Sequence, residues 1–575
     1  MYGGFKNGAR TAAGDLMGEF VPKSYLYLRH NYTFSIFKKD LLAGLTVGII
    51  ALPLAMAFAI ASGVPPERGL YTAIIAGFLI SALGGSRIQI GGPTGAFVVI
   101  IYGIIQRTGY HGLCMSTTIA ALILILLGIF RIGSWIKYVP HPLITGFTTG
   151  IAVIIFSTQI KDFFGLQMAT PPADFIDKWL SYFAAFPTFD PLTLSMAAGT
   201  LGVIVLIRRL VPWLPWGISA IVLATAICMI FKLPLETIQS RFGQIPRSLP
   251  LPSIPCFFIP ADKLKEILTD GITIAFLGSI ESLLSAVIGD GMIGGRHRSN
   301  CELIAQGIAN FGSIIFGGIP ATGAIARTAA NVKTGAQTPM AGMIHALVLF
   351  FILYCLAPIV SQIPLAALSA VLVMIAWNMS EVNHFTRLLR APYGDRIILL
   401  TAFFLTVFVD ITVAISVGMI LASFMFMQRM SQMSKAVSLS QVFKENQIDF
   451  PEKSDPDDIS TKKIPQGVEV YEIQGPFFFG AANMLRDLLM NMAIIPKVFI
   501  LRMRAIPMID ASGMYGLEEF YGQCKKRNII LLLSGVHGQT RQDLKKFGLV
   551  ESMGEGTIFQ HIDAALERAS EIVTH

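Results

Sequence analysis

Residues 317–325 read GGIPATGAI, and residues 91–97 read GGPTGAF. Each string sets Gly and Pro immediately before an apolar run that is short for a membrane crossing. If the first run is helical from Pro93 to about Gln106 and the second from Ala321 to about Val332, each extends only ~20 Å at a rise of ~1.5 Å per residue. Hydrocarbon is ~30 Å thick, so neither run crosses alone. Backbone at membrane depth must be helical, buried in protein, or beside a wet cavity. The Gly and Pro residues are therefore expected inside a helix bundle, with the two helix N-termini meeting near the midplane. A helix N-terminus offers unpaired N–H groups and roughly half a positive charge, which makes an anion site without a full cation in lipid. One Gly-Pro pair can be a mere kink; two matching pairs, each opening a short run, point to a transporter's binding site.

Composition agrees with a membrane setting. The 575 residues are 53% hydrophobic and 14% charged, against about 25% charged in soluble proteins. A water-soluble enzyme of this size, a disordered chain and a coiled coil are all excluded. Abundant Phe and Met suit lipid-facing surface, and abundant Gly suits close helix packing. The formal charge of +8 is spread over short segments between apolar runs, which signals membrane orientation and no nucleic-acid partner. Six scattered cysteines without ligand spacing give no disulfide framework and no metal site, and no cofactor is expected. The basic segment before Asp40 lacks a cleavage pattern, so no cleaved signal peptide is expected.

Between Leu41 and Arg429 there are fourteen apolar stretches, centred near residues 51, 77, 100, 121, 149, 199, 223, 279, 309, 327, 347, 372, 402 and 420. With the N-terminal segment 1–39 inside, Arg87, Arg131, Arg208, Arg209, Arg296, Arg298, Arg387 and Arg390 all fall in cytoplasmic loops, as orientation by basic residues requires. Both ends of a multi-pass domain over 40–430 are then cytoplasmic, in a cell (inner) membrane. Its halves, about 40–231 and 267–430, hold seven spans each; an odd number makes the second half start from the opposite face, an inverted repeat. Residues 431–466, with FPEKSDPDDISTKK, read as a hydrated linker. From 467 to 575, short β-type runs such as VEVYEI and IILLLSGV alternate with helical stretches, which predicts a small α/β domain.

The same residues resemble the sulfate permease (solute carrier 26) family, which joins a fourteen-span, all-α inverted-repeat domain of core and gate subdomains to a cytoplasmic α/β STAS domain. The similarity runs through most of the chain: GLTVGIIALPLAMAFAIASG at 44–63, SIESLLSAVIGDGMIGGRHRSNCELIAQGIAN at 279–310, GGIPATGAIARTAANVKTGAQTP at 317–339, and PMIDASGMYGLEEF at 507–520. AWNMSEVNHF at 376–385 leans toward the branch with the bacterial C4-dicarboxylate transporter. The resemblance implies that an anion sits between the third and tenth helices, at Thr94, Gly95, Ala96 and Phe97 and at Thr322, Gly323, Ala324 and Ile325. It also implies a homodimer.

Ionisable groups within spans are costly and are functional candidates by default. Glu281 lies mid-span with Ser285 on nearly its own face; in the resembled family a carboxylate here meets the coupling ion, a proton or sodium. Glu281 is expected to take up a proton as the anion binds, because burial favours the neutral carboxyl; the alternative is a structural carboxylate. Arg327, in the second turn of the tenth helix, is expected to add a fixed positive charge, against a snorkelling Arg or one paired with Glu281. His141 and His345 read as satisfied packing histidines. In IDASG, Ser512 matches the phosphorylatable position of STAS relatives, while Asp510 or Ser512 can simply cap the next helix. No nucleotide-binding loop is present. The sequence thus predicts a non-enzymatic secondary transporter, in contact with membrane lipid, of small anions such as sulfate or a C4-dicarboxylate, driven by protons. The alternatives are a passive channel or exchanger for chloride or bicarbonate, and a STAS-based sensor with weak transport.

Overall fold

The computed structural model describes residues 19–30, 32–168, 171–172, 174–211, 214–253, 263–433, 435–438, 462–477, 485 and 495–574. They form two compact units, Met1–Ile420 and Leu421–His575.

The first unit is built of long apolar helices: α1 (Phe34–Ala61), α2 (Pro66–Leu83), α3 (Gly95–Ile129), α4 (His141–Phe164), α5 (Pro191–Leu210), α6 (Trp216–Ile230), α7 (Leu264–Ile293), α8 (Ser299–Ile315), α9 (Ile325–Lys333), α10 (Met340–Val360), α11 (Leu365–Met379), α12 (Tyr393–Phe408) and α13 (Ile411–Met433), the last reaching into the second unit. Every predicted centre falls within one of them. Among the described residues, eight helices are long and apolar enough to cross a membrane. α3 holds two of the predicted stretches, because Gly109 (φ 69°, ψ −173°) breaks it into two arms. The first arm starts at Gly95, after the expected Pro93, since Thr94 is still extended. α9 has only 9 residues, or ~14 Å, shorter than expected because the chain stays extended through Ala324.

The helices sort into two bundles. In one, α1 and α2 pack on α10, and reciprocally α7 and α8 pack on α3. In the other, α4 packs on α11 and α12, and α11 on α5. This exchange, in which each half's first helices lean on the other half's middle, is the packing of an internal repeat. Dense helix contact rests on small residues: a Cβ on Gly146 would lie 2.6 Å from Leu399 O, and one on Gly307 2.6 Å from Ala121 O.

The second unit carries a four-stranded sheet in the order β3 (Lys435–Ser438), β4 (Val468–Gln474), β5 (Val498–Arg502), β6 (Ile530–Ser534). β3 is antiparallel to β4 and the rest are parallel. Side chains alternate between faces along a strand. Val468, Val470, Val498, Ile500 and Leu532 bury against α17 (Ile562–Thr574), while Ile473, Phe499, Leu501, Leu531 and Leu533 bury against α14 (Ala511–Lys526) and its neighbours α15 (Gly538–Lys546) and α16 (Leu549–Met553). Helices cover both faces, as parallel strands require. β3 corrects the expected linker: helix α13 runs to Met433 and Lys435–Ser438 pairs with β4. Short Ala-Val runs read as linker until a partner strand supplies their hydrogen bonds. The acidic stretch FPEKSDPDDIST lies outside the described residues.

α14 begins at Asp510, whose Oδ1 accepts the Gly513 amide at 2.7 Å, and Ser512 is exposed one residue into the helix. The cap role thus falls to Asp510. Asp510→Ala is expected to destabilise the second unit by about 1 kcal/mol, whereas Ser512→Ala leaves its unfolding midpoint unchanged; denaturant melts of the two variants check this.

Candidate functional site

The two Gly-Pro strings meet. Residues Gly91–Gly92 (β1) and Thr322–Gly323 (β2) form a two-residue antiparallel ribbon, with Gly91 opposite Gly323 and Gly92 opposite Thr322. The ribbon extends by one bond, Ala324 N–H to Ile90 O at 2.8 Å. Each strand runs at once into a helix, β1 through Thr94 into α3 and β2 through Ala324 into α9. Gly92 sits at φ +147°, and a Cβ there would lie 2.7 Å from Arg327 Nη1. Only glycine fits both that backbone and that neighbour.

Non-helical backbone in a buried site needs partners for its polar groups, and side chains from neighbouring helices supply them. Asn310 of α8 mimics a strand edge: its Nδ2 donates to Ala321 O and its Oδ1 accepts from Ala321 N–H, both at 2.8 Å. Thr72 and Ser313 hold Ile319. The Arg68 guanidinium donates to Gly317 O at 2.9 Å and the Tyr110 hydroxyl to Gly318 O at 2.7 Å. On the β1 side, fully buried Glu302 accepts the amides of Gly85 and Ser86 at 2.9 and 3.1 Å. Thr328 Oγ1 accepts the Ile90 amide at 3.1 Å, and Asn331 donates to Ile88 O at 2.8 Å.

The structure gives the expected anion residues unequal tasks. At the α3 tip, Thr94 is the N-cap without a capping side-chain bond, and its buried Oγ1 has no partner among the described residues. The amides of Gly95 and Ala96 belong to the first helical turn, which has no internal acceptors. The Phe97 amide donates to Thr94 O at 3.3 Å. The Phe97 ring is buried beside Gly278 of α7. At the α9 tip, the ribbon has taken most of the polar groups. Thr322 Oγ1 donates to Gly278 O at 3.1 Å and shares a 2.7 Å hydrogen bond with Ser282 Oγ; Gly323 N–H donates to Ser282 Oγ at 3.1 Å, and Ala324 N–H is spent on Ile90. Thr322, Gly323 and Ala324 therefore hold the tip in place. The first-turn amides that remain are those of Ile325, Ala326 and Arg327.

Arg327 is 2% exposed. Its Nη2 donates to Pro93 O across the gap between the tips, while the buried Nη1 has no partner among the described residues. It neither snorkels nor pairs with Glu281, because the Pro93 carbonyl at the α3 tip lies within its reach. Glu281, 8% exposed on α7, has no hydrogen bond or ion pair among the described residues. Ser285 is fully buried and shares a 3.1 Å hydrogen bond with Thr328 Oγ1. It thus braces α9 to α7. His345 is fully buried as expected, but among the described residues neither ring nitrogen has a hydrogen-bond partner. Ser282, Asn310 and Glu302 were missed as positioning residues; the clue for Ser282 was its place beside Glu281 in SIES.

Chemically, two amide-bearing helix ends and one guanidinium converge on a small region. A negatively charged solute fits such a field. Among the described residues no cluster of His, Cys, Asp and Glu is arranged to hold a metal ion.

Residues 37–402 match the sulfate permease family, and residues 460–565 match the STAS domain. The chain belongs to the sulfate permease family. This permease is a membrane anion transporter with a C-terminal STAS domain, a family of transporters and not of enzymes. It is 39% identical to the "Putative sulfate transporter YvdB" of Bacillus subtilis (strain 168), over 92% of this chain and 98% of that one. It is 28% identical to the bicarbonate transporter BicA of Picosynechococcus sp., over 93% and 95%. Its fold matches the murine Slc26a9 anion transporter in the inward-facing state with a TM-score of 0.84 at 20% identity, over 98% and 96% of the two chains.

Arg327→Met removes the unpartnered charge. Hydrogen bonds to charged groups contribute ~1.5–3 kcal/mol, so the KM for the transported anion is expected to rise about 10- to 100-fold. Gly92→Ala, which displaces the guanidinium, should move KM in the same direction with Arg327 intact. Initial-rate uptake by the purified variants, alongside melting curves in detergent, checks both.

Proposed function

We propose that this permease is a proton-coupled symporter of small dianions, sulfate or a C4-dicarboxylate such as succinate. The supporting observation is the charge at the tips, two helix N-termini of roughly +0.5 each and the Arg327 guanidinium, together with Glu281, which adjoins the tip-holding Ser282 in the chain and whose carboxyl has no partner among the described residues. With Glu281 ionised these sum to roughly +1, and with Glu281 protonated to roughly +2. A dianion is matched by the protonated site, so proton uptake and dianion binding favour each other, as linkage requires. Gly95, Ala96 and the first-turn amides of α9 do the binding; Thr94 and Phe97 set polarity and size. The sulfate named for the Bacillus relative supports one member of this substrate class.

A second reading, an exchanger or passive pathway for bicarbonate or chloride on the same scaffold, draws support from the two BicA relatives. A monoanion needs no proton on Glu281. For orientation, the basic residues of short loops support both termini in the cytoplasm of a cell (inner) membrane. The family resemblance supports a homodimer, with the STAS unit serving assembly and regulation.

Purified protein in lipid vesicles, with pH and sodium varied separately and sulfate, succinate and bicarbonate in competition, tests the reading. The wild type is expected to accumulate a dianion when the vesicle exterior is acidic. Glu281→Gln is expected to retain downhill exchange while losing accumulation. Anion-linked proton movement that persists in Glu281→Gln defeats the proton role, and flux that never rises above the anion's own gradient favours the passive reading.

A further inference from the structure

Between α4 and α5 lies a loop helix, Phe175–Ala185, whose polarity is turned inside out. Ile176, Leu180 and Phe183, spaced i, i+4 and i+7 along one face, are 61–68% exposed, whereas Lys178 and Tyr182 are both 2% exposed. In water such a helix would bury its leucine and show its lysine. At a bilayer interface the apolar face turns to lipid, and the lysine is left pointing into the protein.

There it meets α3. The Lys178 ammonium stands 5.2 Å from the centroid of the Tyr102 ring, a cation–π distance. Among the described residues Lys178 Nζ has no hydrogen-bond acceptor and no ion-pair partner. Tyr102 is held from both sides: its hydroxyl donates to Pro171 O at 2.7 Å, and Gly63 leaves just enough room beside the ring for a Cβ to lie 3.3 Å away. The loop helix rests on α4 and α12. Its neighbours there are Ser157, which accepts from Trp179 Nε1 at 3.1 Å, and Phe408, packed edge-on against Phe175; neither is charged.

Tyr102 stands seven residues beyond Gly95. Seven residues are close to two turns, so both project from nearly the same face of α3, ~10 Å apart. That face looks at the second bundle: a Cβ on Gly95 would lie 2.8 Å from Met379 Sδ of α11 and 3.1 Å from Ile155 Cδ1 of α4. The seam between the bundles therefore runs from the lysine under the loop helix to the α3 tip.

We propose that Lys178 is a way-station for the transported anion, a cation that receives it in the seam before the half-helix tips do. The inference rests on the anion-transport reading above and adds a second binding point to it. A buried lysine whose ammonium has an aromatic face beside it and no anionic partner among the described residues keeps most of its capacity for a charged acceptor. Burial lowers Lys178 to about 8, with Asp174 at the helix N-cap raising it in part. The other titratable groups on this side are the phenols of Tyr102 and Tyr182 and, beyond Tyr182, the Asp162 carboxyl of α4, which Arg241 holds at 2.8 Å. The side chain is therefore charged below pH 8 and neutral above, and the station should fail as pH on its own side rises through that value.

The test is equilibrium exchange of labelled sulfate by the full chain in vesicles, at fixed internal pH and external pH from about 6.5 to 9, where sulfate stays a dianion. A rise in KM from loss of the Glu281 proton is common to the wild type and the Lys178 variants, so the contribution of Lys178 is read as the difference between their pH profiles. The wild-type KM is expected to climb as pH passes about 8. Lys178→Met should raise KM about three- to tenfold at pH 7 and flatten the profile, since a focused charge acts mainly on approach. Lys178→Arg should show a smaller rise in KM between pH 7 and 9 than the wild type. Matched melting temperatures separate these effects from misfolding. A Lys178→Met protein with wild-type KM and wild-type pH profile overturns the inference; a wild type that exchanges none of sulfate, bicarbonate and succinate removes the transport reading with it.

Discussion

Two backbone pairs, Gly91 with Gly323 and Gly92 with Thr322, decide where everything else in the transport unit can lie. A helix that begins inside a bundle exposes several amides and needs an extended segment to lead into it. Such a segment is costly in an apolar interior unless its own N–H and C=O groups are met. Pairing the two lead-in segments with each other meets both needs at once. It also sets the distance between the two helix tips by hydrogen-bond geometry, which leaves little freedom for side-chain repacking to change it.

The ribbon is too short to stand alone. Its ends are completed by Asn310, Ser313, Thr72, Glu302 and Ser282, drawn from α2, α7 and α8. Each acts on backbone and none carries the net positive charge of the site. The first bundle can therefore be stiff around the tips while the site itself stays open to a ligand. The second bundle touches this assembly through side chains such as Met379 and Ile155 against Gly95. Apolar contacts of that kind have no fixed register. A seam made of them lets one bundle shift against the other more easily than a seam of buried hydrogen bonds would, and shifting bundles about a fixed site is how inverted-repeat transporters alternate access.

Much of this was legible from the order of residues, because the decisive signal is local. Gly and Pro before a truncated apolar run state that backbone leaves helical form at depth, and the second copy states that there are two such places. Charge spacing in short loops and the β-then-helix rhythm after Val468 are equally local. What stayed hidden depends on which helices become neighbours. Nothing in NCELIAQGIAN says that Glu302 will cap the turn at Gly85 or that Asn310 will lie beside Ala321, although both are polar residues on an apolar helix. The partners of Thr322 and Ser285 stayed hidden for the same reason: nothing local says that Ser282 and Thr328 will lie beside their hydroxyls. Lys178 was hidden most completely, since a lysine amid Asp174 and Asp177 reads as a solvated loop; only the exposed Ile176, Leu180 and Phe183 turn that reading round.

Arg327 ties the geometry of the site to its charge. An isolated guanidinium in an apolar interior is costly, and one carbonyl, Pro93 O, offsets part of that cost while leaving Nη1 bare. That carbonyl belongs to the lead-in to α3, while the arginine belongs to α9. The cation therefore bridges the two tips it serves and stands beside Gly92, where a side chain of any size would push it away. Were the arginine paired with Glu281, its charge would be cancelled and the carboxyl would be held ionised. With the two apart, neither charge cancels the other, and the guanidinium keeps its place between the two tips through a carbonyl alone.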